Sequence, residues 1–202
     1  MPLIRRLAVA VAVGLLAFGG ALLWGNDLIA ALQGEDASVS HGSTSRGSLE
    51  QGKRLPSAGP NFKTYSRFGS LIGRTTVNSR VRSLLLASYG ALNESRPELR
   101  FKIGETAWPS GGRFRPHRTH QDGLSVDFMV PVREGGRVSW LPTWPWLLFG
   151  YGINFDDEGR WEGLTIDFEA IALHLQSLAT LAPDHGLAIG RVIFAVDLQP
   201  EL

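Results

Sequence analysis

The chain has no cysteine. That absence excludes disulfides, thiolate metal sites, a cysteine nucleophile and a lipoprotein anchor. A folded body must then be held by its core alone, which 202 residues are enough to build. Charge of one sign is also lacking, with 20 Lys plus Arg against 19 Asp plus Glu. Nothing therefore argues for nucleic acid or another polyanion as a partner. No internal repeat is visible. Histidine is scarce, at five residues.

What the chain does have, at its start, is a long apolar run. Arg5 and Arg6 precede LAVAVAVGLLAFGGALLW, residues 7 to 24, which carries no charge. Basic residues followed by an apolar stretch make the layout of a signal peptide. The run is also just about long enough to cross a bilayer, which takes about 20 apolar residues. No clean A-x-A cleavage site follows, although IAA at 29 to 31 is a poor one. Residues 1–32 thus read as a cleaved signal or an uncleaved membrane anchor through residues 7–24. Either way Arg5 and Arg6 stay in the cytoplasm and the remainder is exported, so a periplasmic location is expected.

Residues 33–61 are dominated by Gly, Ser and charge and read as a flexible linker, with His41 a bystander in it. A folded domain is expected from 62 to 202. Val81, Leu84, Leu85, Tyr89 and Leu92 recur at helical spacing and predict a helix over about 77–93. Leu99, Phe101 and Ile103 alternate as in a strand. In LSVDFMV, Asp127 projects opposite an apolar row made by Leu124, Val126, Phe128 and Val130. TIDFEAIALHLQSLATLA is the clearest helix, and His174 falls off its apolar stripe, which predicts surface placement. RVIFAV predicts a further strand, and DLQPEL the first turn of another helix.

The chemistry-bearing stretch is GGRFRPHRTHQDGLSVDF, residues 111 to 128. His120 and Asp127 are spaced His-x6-Asp across a turn at Gly123, so both side chains can converge on one ion. His117 can join them as a ligand or support them as a neighbour. The bland alternative is solvated histidines, with Asp127 paired to Arg113, Arg115 or Arg118. Glu105 ends the preceding strand and can orient a ligand histidine or make a salt bridge. WLPTWPWLLFGYGINF holds three of the six tryptophans and reads either as a groove lining or as a loop folded over the core. FDDEGR lacks the alternation of a calcium loop and reads as a solvated turn.

This stretch resembles the signature of the penicillin-insensitive murein endopeptidases, roughly G-G-R-F-x-x-H-x-S-H-Q-x-G-L-D-V-D. FKIGETAWPSGGRF and RVIFAVDLQPEL extend the likeness over about residues 55 to 202. Those enzymes are zinc peptidases of the group that includes lysostaphin and the D-alanyl-D-alanine metallopeptidases. The resemblance implies zinc held by His120 and Asp127, with His117 a further ligand or close neighbour. Thr119 stands where the family has Ser, and Ser125 where it has the first Asp of GLDVD. The family's last ligand comes from a later His-x-His pair that these 202 residues do not contain. Neither His185 nor His174 lies in such a pair, so the domain is expected to be incomplete at its C-terminal end, with the general base in the missing part.

The expected fold is α+β: a small, mostly antiparallel sheet bearing a zinc site, flanked by helices. The expected function is zinc-dependent cleavage of D-alanyl-diaminopimelyl cross-links in peptidoglycan. The alternative is an exported module that binds peptidoglycan, or regulates a partner hydrolase, without cutting.

Overall fold

The computed structural model describes residues 2–201. It opens with a helix, α1 (Pro2–Gly20), that runs on through a π-turn (Ala21–Gly25) into α2 (Asn26–Leu32). Leu, Val and Ala dominate α1, and Leu7, Val11, Leu15 and Phe18 are all exposed. By length and composition Leu3–Leu32 can cross a membrane, as a signal sequence or an anchor.

Three strands follow, β1 (Val39–Ser43), β2 (Arg46–Glu50) and β3 (Lys53–Arg54). This corrects the expected flexible linker over 33–61. β1 and β2 form a hairpin, and Leu49 and Leu55 are fully buried. The Ser and Gly content that suggested mobility has a packing cause instead. Ser38 Oγ gives its proton to the Gln51 carbonyl and accepts from the Ser79 amide. A Cβ at Gly52 would lie 2.5 Å from the Pro109 oxygen, so a neighbouring backbone passes where a side chain would be.

The body continues with β4 (Phe62–Thr64), α3 (Arg67–Leu71), β5 (Thr76–Val77), α4 (Ser79–Ser95) and β6 (Phe101–Ile103). Ser66 and Asn78 cap α3 and α4 by accepting from Gly69 and Arg80 amides. Then come β7 (Phe128–Met129), β8 (Val132–Glu134), β9 (Arg137–Ser139), β10 (Arg160–Trp161), β11 (Leu164–Ile166) and α5 (Phe168–Leu181). The class is α+β as expected, but the strands form four small sheets rather than one. β6 is central to the sheet β4-β6-β7, parallel to β4 and antiparallel to β7. β10-β11-β8-β9 is antiparallel throughout.

α4 and α5 pack together over β4-β6-β7, burying Leu84, Leu85, Tyr89, Phe101, Ile103 and Leu178 in one core. His174 belongs to that core, which corrects its expected surface placement. Its ring centroid lies 5.0 Å from Tyr89, 4.9 Å from Phe101 and 4.7 Å from Phe128. A neutral imidazole is a flat ring that stacks as an aromatic does, so the buried stripe of α5 runs Ala170, Ile171, His174, Leu178. Burial pushes the His174 pKa down to about 3. RVIFAV is not a strand: Val192, Ile193 and Val196 are exposed, and Phe194 alone of its side chains packs inward. DLQPEL does enter a helical turn, of 3-10 type, over Val196–Glu201.

Candidate metal centre

Asp127 stands just before β7, where the ladder with β6 extends by two more bonds. Gly104 N–H donates to the Asp127 carbonyl at 2.7 Å, and Asp127 N–H to the Glu105 carbonyl at 2.9 Å. Strand alternation then turns Val126 and Phe128 into the core and Asp127 to the other face, as expected. The loop carrying the two histidines is tied down at both ends. Gly112 donates to the Gln121 carbonyl, Gln121 to Thr44 in the β1–β2 turn, and the Asn78 amide to Gly123. The hairpin that composition disguises as a linker is therefore the support of the motif loop.

The loop brings His117, His120 and Asp127 together, each offering one donor atom within 4.8 Å of the others. His120 is 1% exposed and has φ of +76°, a left-handed conformation that costs a non-glycine residue about 1 kcal/mol or more. Strain of this kind persists where the surroundings over-determine it. Here Phe114, fully buried, packs its ring 5.4 Å from His120 and 6.0 Å from His117.

Hydrogen bonds determine which nitrogen of each imidazole is free. His120 Nδ1 lies 3.1 Å from the Ser125 carbonyl, which can only accept, so Nδ1 carries the proton. Its Nε2 is buried, has no hydrogen-bond partner, and lies 3.2 Å from Asp127 Oδ1. His117 is arranged the other way round. Its Nε2 lies 2.9 Å from Glu105 Oε2, an acceptor, so Nδ1 is the free nitrogen, 3.6 Å from Asp127 Oδ2. Two imidazole lone pairs thus face one carboxylate. Such an arrangement calls for a cation or a proton between them. Burial lowers the His120 pKa, but Asp127 outweighs it and the net shift is upward. For Asp127 burial acts upward, and His120 and His117 bring it below its ordinary value.

A buried imidazole nitrogen that faces a carboxylate, with its other nitrogen held by a carbonyl, is arranged as a metal-ligating histidine is. The donor set of two nitrogens and one carboxylate suits zinc, for which three protein ligands and an open position are usual in catalytic sites. The cluster fits a metal ion. Among the described residues Asp127 pairs with none of Arg113, Arg115 and Arg118, contrary to the bland alternative. His41 pairs with Glu50 on the surface, and His185 lies in a turn after α5.

Glu105 is 6% exposed and makes both of the contacts expected as alternatives, a salt bridge with Arg74 and a 2.9 Å contact with His117 Nε2. Burial works to raise its pKa, but hydrogen bonds from Arg74 and Tyr65 outweigh it and keep the carboxylate charged. Three participants went unseen in the sequence. Arg74 and Tyr65 reach in from segments with no local signal. Tyr151 belongs to the tryptophan-rich stretch, and its hydroxyl donates to Asp127 Oδ2 at 3.0 Å while accepting from the Glu105 amide. Burial and the Asp127 charge raise the Tyr151 pKa, so it stays a donor. Beside His117 opens a cavity of about 550 Å³ rimmed by Arg113, Arg115, Arg118, Ser45 and Gln121.

Fold and cluster together define an α+β protein with a candidate His-His-Asp metal centre under an arginine-rich rim. No protein-family model matches the chain, and no curated protein matches it.

Proposed function

We propose that the protein is a zinc-dependent peptidase of the periplasm that cleaves D-alanyl-diaminopimelyl cross-links in peptidoglycan. One observation carries the metal half of this reading: His120 and His117 each have one ring nitrogen tied to an acceptor and the other turned to Asp127. The substrate half rests on the resemblance of residues 111 to 128 to the murein endopeptidase signature.

His120, Asp127 and His117 would hold the ion, and zinc supplies Lewis acidity toward a scissile carbonyl and toward water. The chain's own residues do the rest. Ser125 and Glu105 fix the two ring orientations, and Arg74 with Tyr65 keeps Glu105 ionised for that task. Tyr151 holds one oxygen of Asp127 with its single hydroxyl proton and is itself fixed by the Glu105 amide. The exposed guanidinium groups of Arg113, Arg115 and Arg118 suit the carboxylates that peptidoglycan stems carry. No serine nucleophile is required, so β-lactams have no group to acylate.

The test is the chain in detergent, loaded with zinc and extended by a segment carrying the His-x-His pair that the resemblance implies, on cross-linked muropeptide dimers separated by chromatography. Dimers joined by D-alanyl-diaminopimelyl bonds are expected to become monomers, with a chelator abolishing the conversion and penicillin leaving it unchanged. Intact dimers in the presence of bound zinc would overturn the hydrolase reading; retention of those dimers on immobilised protein would then identify a wall-binding module.

A further inference from the structure

The N-terminal helix does not end where the body begins. Its last turns are part of the body. Asn26, 2% exposed, donates to the Leu55 carbonyl at 2.8 Å and to Ser57 Oγ at 3.1 Å. Asp27 Oδ1 accepts from the Ser57 amide at 2.6 Å. Gln33 accepts from the Arg54 amide at 2.7 Å and donates to the Gly52 carbonyl at 2.9 Å. These side chains satisfy main-chain groups of the segment 52 to 57, which has no ladder partner for all of them. Ala30, in the poor IAA cleavage stretch, is buried within α2. Loss of residues up to 31 would leave the body with several unsatisfied polar groups.

Upstream, the helix carries no charge from Leu7 to Asn26. The nineteen of these that precede Asn26, at about 1.5 Å each, span about 28 Å, close to the thickness of a bilayer's hydrocarbon core. The charges sit at its two ends, Arg5 and Arg6 on one side and Asp27 with Arg67 on the other. Arg67 Nη1 also donates to the Leu23 carbonyl at 2.6 Å, so α3 is fastened where the apolar run meets the body. Trp24 and Leu28 on the last turns of the helix are exposed, as are Phe68 and Ile72 on α3 and at its C-terminal cap, and α3 packs against those turns. Exposed aromatic and aliphatic side chains at the end of an apolar helix are the composition found at a membrane surface.

We propose that residues 2–24 are retained as an uncleaved membrane-spanning anchor, and that α3 rests on the phospholipid surface, with acyl chains covering the exposed apolar helix. The proposal is independent of the peptidase reading. Expressed with a C-terminal tag in a Gram-negative host, the chain should stay in membranes through a carbonate wash. Its intact mass should include residues 2–24. A soluble product beginning anywhere from Leu22 to Leu32 would overturn the anchor. The absence of cysteine allows a single spin label without background. In phosphatidylethanolamine–phosphatidylglycerol nanodiscs, a label on Phe68→Cys should be relaxed by oxygen, and one on Arg137→Cys by an aqueous nickel complex. A Phe68→Cys label that behaves like the one at position 137 would overturn the seating of α3.

Discussion

Gly104 and Asp127 stand so close across the β6–β7 ladder that a Cβ added at Gly104 would lie 2.9 Å from the Asp127 Cβ. The same Cβ would come within 3.1 Å of the Tyr151 hydroxyl. A side chain at 104 must therefore displace the carboxylate and the phenol that holds it. Gly104→Ala is expected to weaken zinc binding by about 10-fold or more, in the range that loss of a supporting contact produces. Competition against a chelating dye reads this directly. Gly90→Ala is the contrast: Gly90 is exposed in α4 with nothing within 4 Å, and the change should stabilise by about 0.5–1 kcal/mol. Unchanged affinity in Gly104→Ala would mean that Asp127 does not ligate.

The histidines should separate cleanly by substitution. His120→Ala and Asp127→Ala are expected to cost at least about 100-fold in zinc affinity, beyond the range for a supporting residue. His117→Ala should behave as they do, because its free Nδ1 faces Asp127. Glu105→Gln should give a smaller loss, about 10-fold, by loosening His117 and leaving Arg74 unpaired. His41→Ala should leave bound zinc unchanged, since His41 pairs with Glu50 on the surface. Equal zinc content in wild type and His120→Ala would end the metal reading.

Acid should weaken the body through His174. Its folded pKa lies at about 3, below the ordinary value of 6.5. As pH falls below about 6.5 the unfolded chain takes up a proton that the folded chain refuses, so stability is lost progressively down to about pH 3. The loss approaches about 1.4 kcal/mol per pH unit, or roughly 1.5 kcal/mol between pH 6.5 and 5. His174→Phe keeps a flat ring among Tyr89, Phe101 and Phe128 and removes the titration. Its unfolding free energy should fall less between those pH values. A slope equal to the wild type's would refute the assignment.

Asn26→Ala should destabilise the full chain by about 1–3 kcal/mol, because it strands the Leu55 carbonyl and part of Arg54 in a buried position. Denaturant unfolding in a fixed detergent measures it. Leu15→Val, in the exposed run of α1, should not change the unfolding of the body. Similar midpoints for the two variants would show that the helix end is not part of the body.

The legible parts of the sequence were those with strong local periodicity. Leu84, Leu85, Tyr89 and Leu92 announce α4, and alternation around Asp127 puts the carboxylate opposite Val126 and Phe128. A polarity pattern scores imidazole as polar and so puts His174 on the surface, whereas a neutral ring stacks in a core. The β1–β2 hairpin was hidden by composition. Gly42 at φ of +78° and Gly47 against Asp122 serve turn and close approach, and composition alone cannot tell these from mobility. Arg74 and Tyr65 converge on Glu105 from 31 and 40 residues away, a distance over which no spacing rule operates.

The pairing of Arg74 with Glu105 also sets the electroneutrality of the cluster. With that carboxylate already balanced, Asp127 is the one anionic donor left in the His-His-Asp set. A divalent ion bound there keeps one net positive charge, which attracts an anionic fourth partner such as hydroxide or a substrate carboxylate. Calcium and magnesium, which want six or more oxygens, find only one carboxylate. Nickel, copper and zinc all accept this mixture, and copper outranks zinc in intrinsic affinity. Which of them would fill such a site is then decided by the supply of metal in the compartment, more than by the three side chains themselves.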